Sequence, residues 1–153
     1  MTELNRISGL HHYAYRCRNA EETRSFYEDL LGLPLAHVIQ ADNVPSTGAS
    51  DPYVHLFFEY ADGSYIAFFD LGDETACIPD PETPAWVNHF AMQVKTVAEV
   101  EEWKKRLEAA DIEVVGVTDH EFVKSVYFFD PNGIRLEITC EVIGESERQD
   151  HRN

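Results

Sequence analysis

The sequence lacks the features that mark several large classes of protein. No apolar run approaches the roughly 20 residues that span a membrane. The first residues have neither the basic start nor the apolar core of a secretory signal. Positive charge is scarce, since 12 Lys and Arg face 28 Asp and Glu, and the formal net charge of −16 repels nucleic acids and anionic lipids. We therefore expect a cytoplasmic protein without a nucleic-acid or membrane partner.

Cysteine motifs and the common nucleotide motifs are also missing. Cys17, Cys77 and Cys140 are odd in number and show no C-x-x-C spacing, so we expect reduced thiols rather than disulfides or a thiolate zinc site. There is no G-x-G-x-x-G, P-loop or H-E-x-x-H motif. The simplest nucleotide-binding and metalloprotease functions are therefore excluded.

The sequence does contain an internal repeat. The segment from His12 to Asn19 aligns with the segment from His89 to Thr96, at an offset of 89 − 12 = 77. Each copy ends on a helix capping box, Asn19 with Glu22 and Thr96 with Glu99. Further along, Asp62-Gly63 and Asn132-Gly133 mark hairpin turns at an offset of 133 − 63 = 70, because the first copy carries a longer loop. The repeat predicts two copies of one structural unit.

Each copy reads as a strand, a helix and three strands. The pattern predicts an α+β fold of two paired βαβββ modules, residues 1–70 and 86–143. A linker over 71–85 and a flexible tail over 144–153 complete the chain. The later strands are predicted at Leu35 to Ile39, Tyr53 to Tyr60, Tyr65 to Phe69, Glu113 to Val117, Ser125 to Phe129 and Arg135 to Cys140.

Three residues of the repeat have the chemistry of metal ligands. Alternation along a strand places His12 on one face with Arg16 and sends His11 to the other, and the offset of 77 matches His12 to His89. Glu137 lies on a half-apolar final strand, where an inward carboxylate needs a partner. Two imidazoles and a carboxylate suit Fe(II), and can also hold Mn, Zn, Ni or Co. We predict one divalent metal, with Fe(II) preferred.

Four stretches resemble one known group of proteins. They are Leu-His-His-Tyr-Ala-Tyr from Leu10, Ser-Phe-Tyr-Glu-Asp-Leu-Leu-Gly ending at Gly32, Val-Asn-His-Phe-Ala around His89, and Tyr-Phe-Phe-Asp-Pro-Asn-Gly-Ile-Arg-Leu-Glu from Tyr127 to Glu137. They resemble the vicinal oxygen chelate superfamily of glyoxalases, bleomycin-resistance proteins and extradiol dioxygenases. The resemblance implies modules side by side, forming a curved mixed sheet around the metal, and a homodimer.

The resemblance also implies a reaction. In ring-cleaving dioxygenases a tyrosine precedes the metal-binding glutamate by ten positions, as Tyr127 does here (137 − 127 = 10). Ala67 occupies the position where four-ligand glyoxalases carry another ligand (137 − 70 = 67), so three protein ligands are expected. This favours an extradiol-type dioxygenase that takes O2 and a catecholic or hydroxylated aromatic substrate. A lyase, isomerase or transferase with a Lewis-acid metal is the alternative, and a drug-binding protein without chemistry is less favoured.

Five further residues complete the predicted site. Tyr127 is expected to hydrogen-bond the substrate, and His120 to transfer protons near neutral pH. Substrate contacts are expected from His55, Arg16 and Gln93. His55 would stand in for a pocket histidine of the large extradiol dioxygenases, and Gln93 aligns with Arg16 in the repeat.

Overall fold

A computed structural model describes residues 3–76 and 80–142 of the chain. Cys77 and the predicted tail 144–153 lie outside the described residues. The chain divides into two compact units, Met1–Cys77 and Ile78–Asn153. Each unit contains one strand, one helical segment and three further strands, so the predicted α+β fold of two βαβββ modules is confirmed. No helix among the described residues is long and apolar enough to cross a membrane.

The first unit is a four-stranded mixed sheet with one helical segment. The elements are β1 (His12–Cys17), α1 (Ala20–Arg24), which continues as a π-helical segment (Ser25–Leu30), β2 (Leu35–Ala41), β3 (Tyr53–Glu59) and β4 (Tyr65–Asp70). The strand order is β1-β4-β3-β2. β1 runs parallel to β4, and the other neighbours are antiparallel.

The second unit repeats this topology. Its elements are β5 (Phe90–Gln93), α2 (Val97–Ala109), β6 (Val115–Asp119), β7 (Val123–Phe129) and β8 (Arg135–Glu141). The strand order is β5-β8-β7-β6, again with one parallel pair, β5 and β8. β6 begins and ends two residues later than predicted, and its pairing with β7 shifts between Val115 and Thr118.

Both helices begin where the capping residues predict. Asn19 Oδ1 accepts a hydrogen bond from the Glu22 amide at 2.8 Å, and Thr96 Oγ1 accepts one from the Glu99 amide at 3.1 Å. The helical segment of the first unit ends at Leu30 and is followed, after the cap residue Leu31, by Gly32, whose φ of 74° is readily adopted only by glycine. In each unit, the residues next to the helix therefore determine where the chain changes from strand to helix.

Each helix covers one face of its own sheet. In the first unit the fully buried Tyr27 ring lies 4.9 Å from the Phe68 ring and 5.5 Å from the Phe58 ring. In the second unit α2 contacts β7 and β8, and its Val100 and Leu107 are fully buried. Because strand side chains alternate, the residues between these core positions project from the opposite face of each sheet. The predicted site residues that lie within strands are on that opposite face.

Strand register confirms that Ala67 is the counterpart of Glu137. Ala67 and Glu137 each pair with an alanine on the parallel neighbouring strand and with an aromatic residue on the antiparallel neighbouring strand. The matching rows are Ala14, Ala67 and Phe57 in the first sheet, and Ala91, Glu137 and Tyr127 in the second. Ala67 has no donor atom, so the first sheet supplies no carboxylate at this position. Asp70 lies on the helix side, where its Oδ2 accepts a hydrogen bond from the Ala20 amide at 2.8 Å.

Candidate metal centre

His89 and Glu137 form a direct contact in the second unit. The Nε2 atom of His89 lies 2.9 Å from Oε1 of Glu137, and its Nδ1 lies 2.9 Å from the carbonyl oxygen of Val87. A carbonyl oxygen only accepts, so Nδ1 carries a proton, and in a neutral imidazole Nε2 is then a lone pair facing a carboxylate. This contact needs either a proton between the two atoms, on the ring or on the carboxyl group, or a metal ion bound to both. A backbone carbonyl at the remote nitrogen is the usual support of a metal-binding histidine.

Glu137 is held from its other side by a serine. Ser125 Oγ lies 2.5 Å from Oε2 of Glu137 and 2.8 Å from Thr139 Oγ1. The Glu137 residue is only 6% exposed, so its carboxylate meets little water. Ser125 and Thr139 were not predicted. Alternation along β7 and β8 places them on the face of Tyr127 and Glu137, and that signal was present in the sequence.

Tyr127 and His120 form a second contact beside this pair. The Tyr127 hydroxyl lies 2.7 Å from Nε2 of His120, and the Tyr127 ring centroid lies 5.9 Å from that of His89. The guanidinium carbon of Arg135 lies 4.0 Å from the Tyr127 ring centroid. Partial burial, and then the negative charge of Glu137, raise the pKa of Tyr127. Tyr127 therefore keeps its proton at neutral pH.

Tyr127, His120 and Glu137 open onto a cavity of about 420 Å³ in the second unit. Four predicted site residues line it, namely Gln93, His120, Tyr127 and Glu137. Phe122 and Thr139 add an apolar wall and a hydroxyl group. The cavity has the size of a small-molecule site.

In the first unit His12 lies on β1, and its ring centroid is 5.6 Å from that of Phe57. The prediction that His11 points away from His12 is wrong. The two Nδ1 atoms lie 2.8 Å apart, and the His11 ring centroid is 5.5 Å from that of Tyr65. β1 begins at His12, so the alternation of a strand does not govern the direction of the His11 side chain.

His55 carries an unsatisfied polar atom. Its ring stacks on Phe69 with centroids 3.7 Å apart, and its Nε2 is buried without a hydrogen-bond partner among residues 3–76 and 80–142. Burial, and then the nearby His12, lower the pKa of His55. His55 is therefore a neutral imidazole. A buried nitrogen of this kind needs a partner, such as water or a bound molecule.

Arg16 is engaged within its own unit. Its guanidinium forms a salt bridge with Asp73, and its Nε donates to the carbonyl oxygen of Thr75 at 3.1 Å. A role for Arg16 in binding substrate stays a prediction.

Across the described ranges, no group of three or more His, Cys, Asp and Glu side chains is arranged to hold a metal ion. His89 and Glu137 are in contact as a pair, and His12 belongs to the first unit. The three-residue ligand set therefore stays a prediction. Cys17 and Cys140 are buried free thiols, as predicted for reduced cysteines.

Comparison with known proteins identifies the family. The model of the glyoxalase/bleomycin resistance protein/dioxygenase superfamily matches residues 9–138. The chain is 27% identical to glyoxylase I 4 of Arabidopsis thaliana over 160 residues, which cover 93% of this chain and 80% of the relative.

Solved structures show the same fold. The fosfomycin resistance protein FosX of Listeria monocytogenes, crystallised with Mn(II) and sulfate, gives a TM-score of 0.65 at 21% identity and covers 94% of this chain and 99% of its own. Glyoxalase I of Leishmania major gives 0.67 at 17% identity, with 95% and 94% covered. The particular likeness to extradiol dioxygenases stays a prediction. With a family model that spans most of its length, the chain belongs to the glyoxalase/bleomycin resistance protein/dioxygenase superfamily.

Proposed function

We propose that the protein is a metal-dependent enzyme acting on a small substrate that chelates through two adjacent oxygens. His12, His89 and Glu137 are its metal ligands. The observation that carries the proposal is the contact of 2.9 Å between Nε2 of His89 and a buried carboxylate oxygen of Glu137, which a cation bound to both would stabilise. Two imidazoles and one carboxylate suit Fe(II) first, and Mn, Zn, Ni or Co as well.

The bound metal would act as a Lewis acid, lowering the pKa of the substrate oxygens that chelate it. Tyr127 and His120 then handle the released proton. The protonated Tyr127 hydroxyl lies 2.7 Å from Nε2 of His120 and donates a hydrogen bond to that nitrogen when the nitrogen carries no proton. Once His120 is protonated, its N–H donates to the phenol oxygen instead, and the hydroxyl turns toward the substrate. Imidazole is the side chain that most often transfers protons near neutral pH.

The remaining predicted residues bind substrate. Gln93 presents an amide in the cavity of the second unit. His55 offers a buried ring nitrogen that lacks a partner in the described part of the chain, and a substrate oxygen would satisfy it. Arg16 would have to exchange its bond to Asp73 for one to the substrate. We also propose a homodimer.

Within this class, an Fe(II) extradiol-type dioxygenase is the preferred reaction. Support comes from Ala67, which matches Glu137 in strand register but has no donor atom. Three protein ligands leave room for two substrate oxygens and for O2. The pairing of Tyr127 with His120 supports the same reaction, because a chelating hydroxylated ring must lose protons.

A non-oxidative lyase, isomerase or transferase is the second candidate. The names of the relatives favour it, since they include glyoxalase I and a fosfomycin resistance protein that holds Mn(II). The same Tyr127 and His120 pair would then move a proton on a substrate that takes no O2.

One experiment separates these candidates. The protein is purified without oxygen, its metal content is measured, and it is reloaded separately with Fe(II), Mn(II), Zn(II) or Ni(II). Oxygen uptake is then recorded over a panel of catechols and hydroxylated aromatics, and anaerobic turnover with fosfomycin and glyoxalase substrates. Oxygen uptake that needs Fe(II) supports the dioxygenase, and anaerobic turnover supports the second candidate. Failure of the native protein to bind any of these metals overturns the proposal.

A further inference from the structure

Ser125 makes a contact that the proposed reaction does not yet use. It is fully buried on β7, and its Oγ lies 2.5 Å from Oε2 of Glu137. It also faces Thr139, its partner in the β7–β8 register, with 2.8 Å between the two hydroxyl oxygens. The serine therefore contacts the Glu137 oxygen that does not face His89.

The direction of these hydrogen bonds follows from the number of protons. A serine hydroxyl has one proton, and the carboxylate of a metal ligand only accepts. Ser125 therefore donates to Glu137, and Thr139 donates to Ser125. The carbonyl oxygen of Lys124, the other acceptor near the Thr139 hydroxyl, is more distant at 3.5 Å. The chain of donors thus runs from Thr139 through Ser125 to Oε2 of Glu137.

Comparison of the two sheets shows that the hydroxyl groups of Ser125 and Thr139 occur together with the Glu137 carboxylate. In the first sheet the position of Glu137 is taken by Ala67 and the position of Ser125 by His55 (125 − 70 = 55). The partner of His55 in the register is Phe69, where the second sheet has Thr139. Both hydroxyl groups thus occur only in the sheet that carries Glu137.

We infer that Ser125 is a positioning residue that limits Glu137 to binding metal through one oxygen, Oε1. This rests on the proposed metal site. With Oε2 held by the serine, the carboxylate does not take up a second coordination position, and that position stays open for the substrate. Hydrogen-bonding partners of ligands typically change metal affinity by about 10- to 100-fold when they are removed.

The test uses Mn(II) and the full-length protein. Affinity is measured by competition titration, and the carboxylate bands are recorded by infrared difference spectroscopy, which distinguishes one-oxygen from two-oxygen binding. Ser125→Ala should weaken Mn(II) binding by about 10-fold or more and shift the bands toward two-oxygen binding. Ser125→Thr keeps the hydroxyl and should restore both readouts. Thr139→Val, which leaves the Ser125 donor in place, should have the smaller effect.

Thermal unfolding without metal checks that each variant is folded. If Ser125→Ala does not fold, Ser125→Cys, a nearly isosteric weak donor, replaces it with the same expected direction. Unchanged affinity and unchanged carboxylate bands in the folded variant overturn the inference. The variant Glu137→Ala distinguishes failure of the Ser125 inference from failure of the proposed metal site. If it abolishes Mn(II) binding while Ser125→Ala is silent, the metal site stands and only the role of Ser125 fails. If the native protein binds no Mn(II), both fail.

Discussion

Replacing Tyr127 by phenylalanine removes one oxygen atom and leaves the other contacts of the ring in place. The guanidinium of Arg135 still lies over the ring, 4.0 Å from its centroid, and the ring still lies beside that of His89. The substitution removes the hydrogen bond of 2.7 Å to His120, an exposed residue, together with the interactions of the hydroxyl with the Glu137 and Ser125 side chains. A bond of this kind contributes about 1 kcal/mol to stability. The free energy of unfolding should therefore fall by roughly 0.5–1.5 kcal/mol.

Turnover should fall much further. A side chain that moves a proton in the transition state contributes about 10²- to 10⁴-fold to the rate. At about 1.36 kcal/mol for each factor of ten, even the lower figure corresponds to roughly 2.7 kcal/mol, well above the loss of stability. The assay measures kcat with saturating metal, after metal analysis has shown equal occupancy in Tyr127→Phe and in the native protein.

The partner residue supplies the control. If Tyr127 and His120 act as one unit, the double variant Tyr127→Phe, His120→Gln should be no slower than the slower single variant. Independent roles would multiply the two losses. Native turnover in fully metal-loaded Tyr127→Phe would refute the proton-transfer role that we assign to this pair.

Three further predictions concern positions elsewhere in the chain. Ala67→Glu places a carboxylate at the counterpart of Glu137, so metal binding should be kept or tightened while oxygen-dependent turnover is lost; if both stay at native values, residue 67 does not face the metal. The pKa of His55 is lowered below 6.5, so the native state binds fewer protons than the unfolded state as pH falls through 6.5, and stability declines there. The free energy of unfolding, measured by urea denaturation at pH 7 and at pH 5, should lose this decline in the His55→Phe variant. Asn19→Ala should cost about 1 kcal/mol of unfolding free energy by loss of the helix cap, and Asn19→Ser should restore it.

The sequence predicts the fold well where the repeat and local chemistry agree. The capping residues Asn19 and Thr96 start both helices, and the offset of 70 places Ala67 and Glu137 at matching register positions. These features depend on short stretches of chain and on strand alternation, which can be read without coordinates.

Other features depend on contacts that no periodicity encodes. Alternation separates His11 from His12 only if both residues lie in one strand, but β1 begins at His12. The two rings are therefore free to come into contact. Alternation places Ser125 on the face of Glu137, but their hydrogen bond crosses a strand pair and is seen only from the register and the distance. The reaction is harder still to predict, because relatives with this fold carry the names of different activities.

Metal titration of the native protein beside Glu137→Ala tests the proposed site most directly. Oxygen-free protein is titrated calorimetrically with Fe(II) and with Mn(II), and the fold of each variant is checked by thermal unfolding. We expect one ion for each native chain, and no bound ion in folded Glu137→Ala or folded His12→Ala, because each variant leaves only two protein ligands. Equal stoichiometry and affinity in native protein and Glu137→Ala would contradict the assignment of this carboxylate as a metal ligand.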